Sequence, residues 1–262
     1  DDHCQRYQGI PQMSRPEVQQ AINETRGLVL MSEGDICDAR FSKCCGGMTE
    51  RFSACWEDND EPYLVATRDL LPKSFNEQIA SKVNLTNEQQ ATAWIKSTPA
   101  SFCQTQDKNI LAQILNDYDQ ETADFYRWTV EYSQDEISQL LQEKLGLNLG
   151  KIRALEPVER GESGRIIRLK IVGTEKTMTI GKELEIRRAL SSTHLYSSAF
   201  VVETSGETSD KLPATFRLYG AGWGHGVGLC QIGAAMMGAE GYNYEEILLH
   251  YYKNASIETK YE

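Results

Sequence analysis

Residues 219–234 read YGAGWGHGVGLCQIGA. Glycines at 220, 222, 224, 226 and 228 alternate with Ala221, Trp223, His225 and Val227, so an extended chain here carries hydrogen atoms on one face and side chains on the other. A backbone face without side chains admits close approach, either of another strand or of a flat ligand such as a sugar ring. Phosphate is the usual partner of glycine-rich loops. Here there is no Gly-Lys-Ser/Thr to reach a nucleotide and no Gly-x-Gly-x-x-Gly spacing after a strand, which argues against a nucleotide site.

Working outward, residues 200–203 and 215–219 are predicted strands that lead into this segment. Beyond it, Asn243 with Glu246 caps a helix on which Tyr244, Ile247, Leu248 and Tyr251 share one face. Upstream, Ser133 and Glu136 form a capping box ahead of Ile137, Leu140, Leu141 and Leu145, with Gly146 as the stop. Residues 165–172 and 176–180 suit a hairpin around Gly173, and 181–190 suit a helix. Near the start, Ser14, Pro16 and Glu17 open a helix with Val18, Ala21 and Ile22 on its apolar face. Strands are expected at 28–31 and 36–41, joined by a Ser-Glu-Gly-Asp turn, and helices at 87–96 and 109–116 within an otherwise polar stretch. Strands and helices mix without regular βαβ alternation, so the fold class is α+β: several short strands and peripheral helices around a substrate groove.

The chain has 262 residues, 40% of them hydrophobic, enough for a real core. A net charge of -11 argues against nucleic acid and against anionic polymers, and favours a neutral or cationic partner. No apolar run is long enough to span a membrane. Asp1 shows neither an initiator Met nor a signal-peptide pattern, so any export signal is expected outside this sequence. Seven cysteines (Cys4, Cys37, Cys44, Cys45, Cys55, Cys103, Cys230) lack Cys-x-x-Cys spacing, which speaks against a zinc ribbon. They read as buried thiols, with room for one local disulfide involving Cys37, Cys44, Cys45 or Cys55.

His225 is the candidate for proton chemistry or ligand contact, since imidazole titrates near neutrality and flanking glycines leave its ring unshielded. Cys230 lies five residues on, so a Cys-His dyad is weighed against simple packing. His3 and Cys4 supply two of the four ligands of a tetrahedral zinc site, or belong to a frayed end. No metal is expected in this chain as it stands. Glu50 and Glu57 are candidate acid and base for glycoside chemistry, against a default of solvated carboxylates.

Four ordered blocks resemble the stage II sporulation protein D and amidase-enhancer family of bacterial cell-wall proteins. Residues 4–9, Cys-Gln-Arg-Tyr-Gln-Gly, are similar to its Cys-Gln-x-Tyr-x-Gly block. Residues 25–27 with 39–50 resemble its Thr-x-Gly and Ser-x-x-Gly-Gly-x-Thr-Glu stretch. Trp56 with Pro62, Tyr63 and Leu64 continues the match, and the glycine segment followed by Ile247, Leu248, His250, Tyr251 and Tyr252 resembles the C-terminal block. The resemblance divides the chain into an N-terminal part of the family core (1–71), a helical elaboration (72–125) and a C-terminal part (126–262).

What the resemblance implies is peptidoglycan binding and cleavage by a lytic transglycosylase in the cell envelope. In such an enzyme a glutamic acid protonates the glycosidic oxygen, and the sugar's own 6-hydroxyl closes an anhydro ring. The family's catalytic glutamate lies in a Glu-Met-Pro type segment before the first block, so it is expected upstream of Asp1, and a zinc site in a longer form would take His3 and Cys4 as its downstream half. Transferred by position, the substrate contacts are Gln5, Tyr7, Ser42, Thr49, His225 and Gln231, with Trp223 stacking on a sugar ring. Cys230 stands where the family often has serine, which favours packing over nucleophilic work. The alternative implied is a non-catalytic glycan-binding module or a regulator that stimulates a cell-wall amidase.

Overall fold

The computed structural model describes residues 16–70, 83–114 and 123–261. Ser14, His3, Cys4, Gln5 and Tyr7 lie outside the described residues. The fold is mixed α+β, built from several small sheets. In chain order the first elements are α1 (Pro16–Glu24), β1 (Leu28–Ser32), β2 (Asp35–Ile36), β3 (Phe41–Ser42), α2 (Glu88–Lys96), α3 (Lys108–Ile114) and β4 (Arg127–Ser133). There follow α4 (Gln134–Leu145), β5 (Ile152–Arg160), β6 (Ile166–Gly173), β7 (Thr177–Ile180), α5 (Glu183–Ala189), β8 (Phe200–Glu207), β9 (Pro213–Ala221), β10 (Leu229–Cys230), α6 (Gln231–Ala239), α7 (Tyr244–Tyr251) and β11 (Ser256–Thr259). None of these helices is long and apolar enough to cross a membrane.

The chain divides into two compact units, one comprising the stretch up to Cys37 with Ala255 onward, the other Asp38–Asn254. In the first, β1 lies between β11 and β2, antiparallel to both. The expected apolar face of α1 is not buried: Val18 and Ile22 are 49% and 58% exposed. Three apolar residues on a nine-residue helix offer too little surface to hold it down. The strand expected at 36–41 is instead two short strands in different sheets. Between them Asp38 leaves the ladder, its N–H bonded to the Tyr63 hydroxyl at 2.9 Å.

The second unit holds the main core. Two antiparallel three-stranded sheets, β4-β9-β8 and β5-β6-β7, share one apolar cluster with α4 and α5, including Ile137, Leu141, Ile166, Leu169, Ile186, Phe200 and Phe216. A second cluster joins Trp94 and Ile95 of α2 to Val201 and Ala221. Local rules set the helix ends: the expected capping box forms at Ser133/Glu136, the cap expected at Asn243 with Glu246 is also a capping box, Ser14 of the third lies outside the described residues, and Gly146 closes α4 at φ 66°.

Gln134, the first residue of α4, is 4% exposed and reaches two strands. Its amide accepts from the Ile152 N–H at 2.8 Å and donates to the carbonyls of Ile152 and Pro213 at 2.8 and 2.9 Å. Gln134→Leu keeps the volume but strands the buried N–H and carbonyl of Ile152 and the part-buried carbonyl of Pro213. We expect a loss of about 2–4 kcal/mol in chemical denaturation, with the far-ultraviolet spectrum unchanged.

Candidate functional site

Strand β9 ends at Ala221, and beyond it the chain is not flat. Glycines 222, 224, 226 and 228 adopt φ of 75°, 94°, 79° and 71°, so left-handed residues alternate with ordinary ones. Of the two partners the sequence allowed for the bare face, the structure shows protein. Trp223 exchanges both backbone bonds with Cys44, the Glu50 N–H donates to the Gly226 carbonyl at 2.9 Å, and β10 runs parallel to β3. A Cβ at Gly228 would stand 2.0 Å from the Arg40 carbonyl oxygen, and one at Gly226 would stand 2.4 Å from the Arg165 guanidinium. The segment at 40–50, which the resemblance assigns to the N-terminal core, is therefore interleaved with the glycine ribbon.

Arg165 and Glu50 lock this arrangement. Arg165 is 1% exposed and donates to the carbonyls of Gly224 and Cys45 and to the Ser163 hydroxyl. That hydroxyl donates to Glu50 at 2.6 Å, and the Glu50 carboxylate also accepts N–H bonds from Arg51, Glu162 and Ser163. Burial pushes the Glu50 carboxyl upward, opposed by the Ser163 and Arg51 bonds and the Arg165 charge. Glu50 is thus no solvated carboxylate, and with both oxygens engaged by protein it is not placed to protonate a substrate. Glu57 is exposed.

Contrary to the unshielded ring expected from its glycine neighbours, His225 packs against Trp56, ring centroids 4.8 Å apart. Nδ1 accepts the Val227 N–H at 3.0 Å, and the ring also bonds the Phe41 backbone. Desolvation, helped by the charges of Arg165, Arg187 and Arg40, pushes its pKa down to about 3, so the imidazole is neutral. No Cys-His dyad forms: the Cys230 sulfur accepts instead from the Cys45 N–H at 3.2 Å.

Trp223 is partly exposed and stacks on Tyr196, centroids 4.1 Å apart, with the Lys43 ammonium 5.3 Å from its ring centre. Gln231 opens α6 and is partly exposed. Ser42 is buried, and its hydroxyl has no hydrogen-bond partner among the described residues. Thr49 is fully buried, its hydroxyl donating to the Val65 carbonyl and accepting the Thr67 N–H, so it braces a turn and does not face a ligand. Phe41, Lys43, Trp56, Trp223 and His225 form a partly exposed run along the ribbon, and Phe41 is 39% exposed. Sequence reading missed Arg165, Ser163 and Phe41, because the tertiary contacts that matter to them leave no local pattern.

Beside Glu50 lies an open polar cleft of about 740 Å³. Of its cations, Arg160 pairs with Glu88, Arg51 with Glu162 and Asp60, and Lys182 with Asp58, while exposed Arg168 on its lining makes no ion pair among the described residues. Cys44, Cys45, Cys55, Cys103 and Cys230 are unbridged, so none of Cys44, Cys45 and Cys55 supplies the local disulfide the sequence left room for. The cysteines are not merely dispersed packing groups, because three of them, Cys45, Cys103 and Cys230, converge with Asp69 on one buried point.

Residues 50–228 match the model of the family described as Domain of unknown function (DUF8618), and the chain belongs to that family. It is also similar to the amidase enhancer of Bacillus subtilis (strain 168), 23% identical over 247 residues. That match takes in 90% of this chain and 32% of the relative, so the chain spans about a third of the curated protein's length.

Two outcomes follow from this geometry. Gly226→Ala forces a side chain into the Arg165 guanidinium at a left-handed position and should cost about 2–4 kcal/mol, read as a lowered unfolding midpoint. An unfolded histidine titrates near 6.5, about 3.5 pH units above folded His225 at about 3, so between those values the unfolded state binds the extra proton. Stability therefore falls as pH drops below about 6.5, by on the order of 1 kcal/mol per unit for this residue. His250, which burial pushes down to about 4, adds a similar slope. Denaturation at stepped pH should show a shallower slope in His225→Asn.

Proposed function

We propose that this chain binds peptidoglycan glycan strands and forms the substrate-holding part of a cell-wall lytic transglycosylase outside the cytoplasm. The observation that carries the reading is the interleaving of segment 40–50 with the glycine ribbon, which brings exposed Phe41 alongside the ribbon and partly exposed Lys43 beside Trp223, with Trp56 packed against His225 and Arg40 over the Trp56 ring. Aromatic rings beside a cation suit the apolar faces and hydroxyls of a neutral sugar chain. Trp223, His225 and Gln231 are the proposed contacts on the ribbon, Ser42 lies beneath it, and Gln5 and Tyr7 join them by the resemblance.

The chemistry of such an enzyme divides into holding the strand and moving one proton. His225 is not the acid, because a ring with a pKa near 3 whose Nδ1 accepts the Val227 N–H does not supply a proton at neutral pH. Glu50 holds the wall of the site. The acid is assigned to the glutamate of the family's Glu-Met-Pro type segment.

A second reading, a regulator that stimulates a cell-wall amidase, draws support from the relative's name, amidase enhancer. It shares glycan binding and differs in products.

Co-sedimentation with purified sacculi tests the shared part. Phe41→Ala, an exposed position, should weaken binding about fivefold with an unchanged melting temperature; equal binding by both proteins, or none by either, removes the reading. A form carrying the Glu-Met-Pro type segment should release anhydro-sugar ends by mass spectrometry. Faster stem-peptide release by an added amidase, without anhydro ends, selects the regulator.

A further inference from the structure

We propose that Cys45, Asp69, Cys103 and Cys230 form a closed structural site for one zinc ion. Their donor atoms all lie within 4.8 Å of one another, and the four residues are at most 2% exposed. Zinc–thiolate bonds of about 2.3 Å set the sulfurs of a tetrahedral site about 3.8 Å apart. Cys45 and Cys103 stand at 3.6 Å between sulfurs. The remaining donors need to draw in by no more than about 1 Å to meet that geometry.

The surroundings are those of a ligand shell. Asp69 receives the Tyr251 hydroxyl on Oδ1 at 2.6 Å and the Cys103 N–H on Oδ2 at 2.8 Å, which fixes the carboxylate while leaving lone pairs for a metal. The Cys230 sulfur accepts the Cys45 N–H and opens α6, two influences that favour thiolate. Gly233 makes the room: a Cβ there would sit 2.7 Å from Asp69 Oδ1 and 2.2 Å from the Tyr251 hydroxyl. The neighbouring Arg68 guanidinium acts electrostatically on Asp69, Cys45 and Cys103 and offsets part of the site's net negative charge. On binding, the three thiols give their protons to solvent and the carboxylate completes the fourth position.

Two alternatives explain less. Packing of thiols accounts for Cys45, Cys103 and Cys230 but not for a carboxyl buried among them, whose burial cost Arg68, with no direct ion pair to Asp69, offsets only in part. A Cys45–Cys103 disulfide leaves Cys230 and Asp69 without a role. Soft thiolates, four protein donors and no open position fit structural zinc.

The full chain, purified without chelator from zinc-supplemented cells, is analysed by plasma mass spectrometry, and cobalt(II) is exchanged into it. We expect about one zinc per chain, kept in Cys4→Ser and reduced at least tenfold in Cys103→Ser, and a cobalt form with the intense visible bands of a tetrahedral thiolate site. Should Cys103→Ser not fold, the cobalt spectrum of the unaltered chain decides. A metal-free folded chain with titratable thiols, a Cys45–Cys103 disulfide by peptide mapping, zinc retained by folded Cys103→Ser, or zinc lost from Cys4→Ser each overturns the assignment.

Discussion

The pairing of Arg165 with Glu50 through Ser163 is the constraint on which the ribbon depends. A guanidinium that is 1% exposed is tolerated only when its donors are met, and here they are met by two carbonyls, of Gly224 and Cys45, and by the Ser163 hydroxyl. One carbonyl belongs to the ribbon and the other to the segment lying against it, so one charged group fastens both. Glu50 balances the charge and uses its remaining acceptor capacity on the 162–163 turn. The glycines follow from this. A side chain at 226 would occupy the guanidinium's place, and one at 222 would strike the Cys44 carbonyl, 2.8 Å away.

What was legible in the sequence was what local chemistry decides. The capping boxes at Ser133 and Asn243, the stop at Gly146 and the β6–β7 hairpin need only neighbours a few residues away, and all are present. Strand β5 was missed because Pro157 and register shifts near Ile152, Pro157 and Glu159 break its alternation. Strand β4 was missed because Glu131 and Ser133 make its outer face look like loop. Helix α1 shows the opposite error: its pattern is amphipathic, yet no residue of it is buried.

The glycine segment was conspicuous as composition but not as conformation. Alternating glycines suit a flat strand equally well, and only the partner at 40–50 shows that the chain coils through positive φ instead. The convergence of cysteines was invisible for a similar reason. Cys45 and Cys103 are 58 residues apart and Cys45 and Cys230 are 185 apart, so no ligand-spacing rule connects them.

Two fastenings thus act on the same pair of segments. Arg165 holds the ribbon at Gly224, and the cluster around Asp69 holds its far end at Cys230 while gripping Cys45 on the opposing segment. His225 sits between these points, bonded to Val227 and resting on Trp56. A surface tied at both ends cannot close on a ligand by bending in the middle. On the proposed reading the glycan strand meets a preformed shape, which suits a stiff, repetitive polymer that arrives already extended and leaves the ordering cost small on both sides.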